Sequence, residues 1–177
     1  QSGITKINTE NNNSLTSCKP LEDAIRENIP SDKKVGLIKI DTDGFDTQVI
    51  RSAKSVLVND NPIIFFEAQP YHLLNNDDLT EFLIWINNLD YKKGIIWDNH
   101  GNFIMASHTT SRELKYLLSY LHGSPNYTFT DIALIHAKDN NLFELILEKE
   151  KQIYLNNLRT SVKDFPINAL KKVIDKL

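Results

Sequence analysis

The chain holds one cysteine, Cys18, one methionine, six glycines and six prolines among 177 residues. A single cysteine excludes an internal disulfide and cannot furnish a thiolate metal cluster. Charge of one sign is not concentrated anywhere: 20 basic and 23 acidic side chains give a net −3. The basic stripe that a nucleic-acid partner requires is therefore missing. No apolar run approaches the roughly 18 residues that cross a bilayer, so no membrane span is expected. The polar residues 1–14 carry no apolar signal core, and the cytoplasm is the expected compartment. Asn12-Asn13-Ser14 and Asn126-Tyr127-Thr128 fit the glycosylation sequon, which matters only in a secreted protein. With 41% hydrophobic and 24% charged residues, the composition is that of one globular domain.

Hydrophobic periodicity organises the rest. Pro20, then Leu21, Ile25 and Ile29 at four-residue spacing, predict a short amphipathic helix over residues 20–29. Residues 35–40 form an apolar run of the kind found in strands covered on both faces. Phe45, Val49, Ile50, Ala53 and Leu57 share one face of a following helix, and residues 63–67 are the next strand. A helix is predicted over residues 79–89, with Asp77 and Asp78 favouring its positive end. Residues 94–98 and 103–106 read as a hairpin around Asn99-His100-Gly101-Asn102. Thr110-Ser111-Arg112-Glu113 reads as a capping box opening a helix that Gly123 closes. Residues 131–136 give the last strand, and a charged helical tail occupies residues 140–177, with a break near Asp164-Phe165-Pro166. There is no internal repeat. Strands alternating with helices argue for an α/β fold with a mainly parallel sheet. Ligands bind beyond the carboxyl ends of the strands in such sheets, which selects residues 41–45, 67–72 and 98–102.

Asp41-Thr42-Asp43-Gly44 is the sharpest chemical signal. On extended chain its two carboxylates would point the same way, about 7 Å apart. They could orient or deprotonate a hydroxyl, balance a cation, or hold a divalent metal. The plain alternative is a solvated turn, with Asp46 serving the helix N-terminus. Lys39 interrupts an apolar strand, so it either pairs with Asp41 or Glu67 or sits at an edge with its amine in water. Glu67 is a site residue or the partner of Lys39. His72 and Gln69 lie in the loop that follows. Asp98, Asn99 and His100 form a turn that could line a substrate cleft. Phe82, Trp85 and Trp97 read as core.

Residues 41–44 resemble the D-x-D-G-T motif of haloacid dehalogenase phosphatases, but Phe45-Asp46 follows where Thr-Leu is expected and no later paired aspartates appear. A calcium EF-hand fails because the glycine comes two positions early. The longer resemblance is to the FkbM methyltransferase family. Its pattern K-I-D-x-[DE]-G-x-[DE] corresponds to Lys39-Ile40-Asp41-Thr42-Asp43-Gly44-Phe45-Asp46. Its L-x-G-A helix corresponds to Val49-Ile50-Arg51-Ser52-Ala53, with Ser52 in place of the glycine. Its P-x-x-x-x-E corresponds to Pro62-Ile63-Ile64-Phe65-Phe66-Glu67. Residues 20–25 and 98–102 resemble further family segments, so the resemblance runs over about residues 20–139. It implies a Rossmann-like seven-stranded sheet of which residues 35–40 and 63–67 would be the fourth and fifth strands.

The resemblance also implies S-adenosylmethionine as cofactor, with Gly44 and Phe45 at the cofactor. Asp41, Asp43, Glu67 and His72 would be catalytic, and Lys39, Gln69, Asn99 and His100 substrate-binding, with a metal at Asp41 and Asp43 if one is used. The implied reaction is methyl transfer to a hydroxyl of a sugar in a cell-surface glycan. The glycine-rich loop and ribose-binding acid of such folds would precede Gln1. The chain is therefore expected to be the C-terminal half of the domain, inactive alone, with residues 1–19 as polar lead-in, 20–139 as the half-domain and 140–177 as helical tail. The missing half and a second copy of the chain are the expected protein partners. A non-catalytic assembly module built on Leu142, Leu145, Ile146, Ile153, Leu155 and Leu158, and a magnesium phosphatase using the D-x-D-G turn, are the alternatives.

Overall fold

A computed structural model describes residues 19–68, 79–123 and 129–161. The expectations placed on residues 1–18, on Gln69, His72, Asp77 and Asp78, on the second sequon, on the side chain of Leu158 and on residues 162–177 lie outside the described residues and side chains.

The elements run α1 (Leu21–Asn28), β1 (Leu37–Ile40), α2 (Asp46–Arg51), α3 (Lys54–Asp60), β2 (Ile63–Ala68), α4 (Leu79–Asn87), β3 (Lys93–Asp98), β4 (Phe103–His108), α5 (Arg112–Gly123), β5 (Thr130–Ile135) and α6 (Asn140–Ser161). The five strands form one sheet in the order β1-β2-β5-β3-β4. Only β1 and β2, joined by the α2–α3 crossover, are parallel. β5 inserts antiparallel between β2 and β3, and β3 and β4 form the expected hairpin. The sheet is thus mixed, not mainly parallel. Periodicity fixes which segments are strands, but strand direction is decided by where the chain re-enters, and α5 delivers β5 running the other way.

The burial of β1 and β2 also departs from the two-sided covering expected of them. Ile38, Ile40, Ile64, Phe66 and Ala68 are buried, while the alternating Leu37, Lys39, Ile63, Phe65 and Glu67 are exposed or half-buried. The buried face joins Ile132 and Leu134 of β5 under helices that contribute Ile50, Leu57, Phe82, Ile86 and Leu114. The opposite face is covered at its far side by α6, where Phe143, Ile146 and Leu147 pack on Ile95, Trp97, Phe103 and Ile135. Leu145, Ile153 and Leu155 of α6 are exposed. Phe82 is fully buried, and Arg51 lies 4.8 Å over the half-buried Trp85 ring.

Two local details correct the sequence reading. The helix expected over residues 45–57 is broken at Ser52-Ala53. The Ser52 hydroxyl donates to the Val49 carbonyl at 2.7 Å, a back-bond that bends helices, and accepts the Leu21 N–H at 2.9 Å, so it fastens α1 to the break. The second correction concerns α5, whose cap is Ser111 rather than Thr110: its Oγ accepts the Leu114 N–H at 3.1 Å.

Tyr91 is fully buried and its hydroxyl donates to the Pro62 carbonyl at 2.9 Å, locking the loop before β3 to the start of β2. Tyr91→Phe leaves that carbonyl without its partner. Urea denaturation is expected to show a loss of about 1–2 kcal/mol; an unchanged midpoint would show that the bond contributes nothing.

His136 caps the turn after β5: Nδ1 accepts the Lys138 N–H at 3.1 Å and the ring stands edge-on to Tyr91. Burial, and then the Lys138 charge, hold its pKa below 6.5, against opposing pulls from Asp90 and Asp139. The unfolded chain therefore takes up the proton first as pH falls. The contribution of His136 is complete above about pH 6.5 and declines below it. Stability measured at pH 7.5 and 5.5 should differ less in His136→Asn, which keeps a cap acceptor without titrating; an identical pH dependence would remove His136 as the cause.

Candidate active site

β1 ends at Ile40, and the chain turns at once. Asp43 (φ 50) and Gly44 (φ 101) are consecutive left-handed residues, a conformation glycine adopts freely and aspartate tolerates. Asp46 holds this turn from inside. It is 2% exposed, and its Oδ2 accepts from the Thr42 N–H (3.4 Å), the Thr42 hydroxyl (3.1 Å) and the Gly44 N–H (3.3 Å). The expectation that Asp41 and Asp43 sit together on extended chain is corrected: the left-handed backbone at Asp43 ends the strand geometry between them. Both carboxylates face solvent, as does the Phe45 ring.

Lys39 is not a buried lysine. On the outermost strand its Nζ donates to Asp41 Oδ2 at 3.2 Å, with both side chains more than half exposed. This settles the choice of partner at Asp41, and an exposed pair of this kind adds little stability.

Glu67 lies on the same face of β2 as Phe65, and its cross-strand partner on β5 is Asp131, which in turn faces Trp97 on β3. The sequence reading missed Asp131. Its carboxyl is pushed above the usual aspartate range, first by burial, with Lys39 pulling it down and Asp41 pushing it up. Glu67, Asp131 and Trp97 thus form a row across β2, β5 and β3, each step about 5 Å, and Asp41, just past the end of β1, lies close enough to Asp131 to raise its carboxyl. The signal was available: an acid opens the apolar run Ile132-Ala133-Leu134-Ile135 as Glu67 closes its own. Phe65 and Trp97 meet at 6.1 Å, and Trp97 Nε1 donates to Glu150 of α6 at 3.0 Å. Behind the row, a shallow depression is lined by Gly44, Asp46, Thr47, Phe66, Glu67, Ala68 and Leu79.

The turn at residues 98–102 forms as expected. Asp98 Oδ1 accepts the His100 and Asn102 N–H groups at 2.8 Å each, and Oδ2 accepts from the Asn102 amide at 2.9 Å. These bonds, that of the Asn102 side chain first, hold the Asp98 carboxyl below its usual range. Asn99 and His100 sit at the same end of the sheet as Asp41 but three strands away, on the order of 14 Å. They are not brought to the carboxylate row. Among the described residues no three His, Cys, Asp or Glu side chains gather to hold a metal.

No curated protein and no solved structure matches the chain. Residues 8–93 match the model of the Methyltransferase FkbM domain. The match spans α1 to the first residue of β3, and so includes Lys39, the residue 41–46 turn and Glu67; the likeness of residues 98–102 falls beyond it. By that match, residues 8–93 of this chain are similar to the FkbM methyltransferase domain.

Proposed function

We propose that the protein transfers a methyl group from S-adenosylmethionine to a hydroxyl oxygen of a sugar in a cell-surface glycan, in the cytoplasm, with this chain supplying the acceptor side of the domain. The observation that supports it most directly is the Asp46-braced turn at the carboxyl end of β1, inside the family match. The residues present suit one wall of a cofactor site. The positive φ at Gly44 permits close backbone approach, and the exposed Phe45 ring offers an apolar face. S-adenosylmethionine supplies a methyl carbon on a sulfonium whose departing thioether takes the carbon–sulfur bonding pair.

The chain's own residues act on the acceptor. Asp41 accepts the hydroxyl hydrogen and turns an oxygen lone pair towards the methyl carbon. As the oxygen–carbon bond forms, the proton passes to a carboxylate of the row. Asp131, raised by burial, is matched to that role better than an ordinary aspartate. Lys39 holds Asp41 in place, and Glu67 adjoins them. Alignment of oxygen and methyl supplies much of the acceleration. No step is routed through a metal.

Labelled-methyl transfer to sugar acceptors by the protein carrying this chain is the direct test. Asp41→Asn should lower kcat by about 10²–10⁴-fold, with cofactor affinity retained. No transfer to any glycan acceptor, with cofactor demonstrably bound, would overturn the reading. On the chain alone, titration calorimetry with S-adenosylmethionine should give no micromolar binding. Micromolar affinity would place the whole cofactor site within these 177 residues and remove the proposal that the cofactor grip lies elsewhere.

A further inference from the structure

Asp46 uses one oxygen to hold the turn; its other oxygen has no such duty. Asp46 Oδ1 and Thr47 Oγ1 are both buried, in residues 2% and 4% exposed, and neither has a hydrogen-bond partner among the described residues. Both side chains line the same depression, with Glu67 and Ala68 on its far wall. A third buried atom without a partner, Thr130 Oγ1, belongs to the residue paired with Ala68 across β2 and β5. Buried polar atoms are almost always satisfied, and an unmet carboxylate oxygen is costlier than an unmet neutral atom. Two such atoms in one depression, with a third on the same sheet face beside it, mark a place that calls for a polar group beyond the described residues.

We infer that this depression is a recognition subsite for one hydroxyl of a polyhydroxylated acceptor, distinct from the hydroxyl that is methylated at Asp41. The inference rests on the methyltransferase reading and narrows it to acceptors with at least two hydroxyls. The depression admits about one water-sized group, so it takes a single hydroxyl and leaves the rest of the ring outside, beside Asp41 and Asp43. Asp46 Oδ1 can only accept; Thr47 Oγ1 can accept or donate. A hydroxyl satisfies both, donating to the carboxylate and accepting from the threonine. An ammonium group offers donors alone, and Oδ2 of the same carboxylate already receives three. Thr47 would then keep an unused hydrogen.

Two substitutions separate this role from the bracing of the turn. Asp46→Asn keeps a carbonyl oxygen for Thr42 and Gly44 but puts an amide donor where Oδ1 was. Thr47→Val removes the hydroxyl at nearly constant shape. The full chain, labelled with ¹⁵N, is titrated with the methyl α-glycosides of glucose, mannose and galactose, and with methylammonium as a cationic control. At least one glycoside should shift the Gly44, Thr47 and Ala68 amide signals saturably. Its Kd should rise by about ten- to a hundredfold in Asp46→Asn, the range for a hydrogen bond to a charged group, and by about two- to tenfold in Thr47→Val, the range for a neutral one, while the thermal midpoint of Thr47→Val holds. Thr47→Val carries the test should Asp46→Asn fail to fold. No glycoside effect at these amides, equal affinity in both variants, or binding of methylammonium alone would each overturn the subsite.

Methyl transfer by the protein carrying this chain keeps the two readings apart. Transfer with unaltered acceptor KM in both variants removes the subsite and leaves the methyltransferase reading standing. Saturable glycoside binding at these amides without any transfer removes the methyltransferase reading and leaves the subsite.

Discussion

The arrangement at the end of β1 depends on one buried carboxylate. Asp46 opens α2, yet its main contacts run backwards, to Thr42 and Gly44. Three donors on a single oxygen hold two successive left-handed residues that the chain would not otherwise keep. Because the turn is held from within, Asp41, Asp43 and Phe45 can all face outward without packing of their own. Exposure of the reactive groups and rigidity of their backbone come from the same contact.

A second constraint is strand order. Among the described residues β1 has one neighbour, so Lys39 reaches water and pairs with Asp41 at the surface. β5 lies at the centre and brings Asp131 beside Glu67, although more than 60 residues separate them in the chain. The open face of β1 and β2 carries Leu37 at 58% exposure, an apolar side chain left in water at the opposite end of the strand from the acids.

Much of the fold was legible because it rests on local pattern. The four-residue spacing of Leu21, Ile25 and Ile29, the apolar runs before Asp41 and Glu67, and the Asn-His-Gly-Asn hairpin turn each specify an element within a short window. The break at Ser52 was not legible as such. It is made by a hydroxyl that bonds both its own helix and Leu21, a contact 31 residues away. The site was legible in part for the same reason. The aspartates stand out as a motif, but Asp46 looked like an ordinary helix-opening acid, and its role appears only once the chain has folded back over it. Asp131 was hidden because cross-strand adjacency is a property of topology, and no spacing in the sequence encodes it.

The central position of β5 bears on how the molecule comes into being. β2 and β3 do not pair with each other; β5 bridges them and comes last in chain order among the described strands. A nascent chain emerging from the ribosome must hold β1–β2 and the β3–β4 hairpin as two separate half-sheets until residues 130–135 arrive. Each half then exposes a bare, apolar edge that invites pairing with a neighbour. The acidic row assembles in the same final event, since Asp131 travels with the strand that closes the sheet. Assembly of the acidic row and burial of the vulnerable edges are therefore reached in one step.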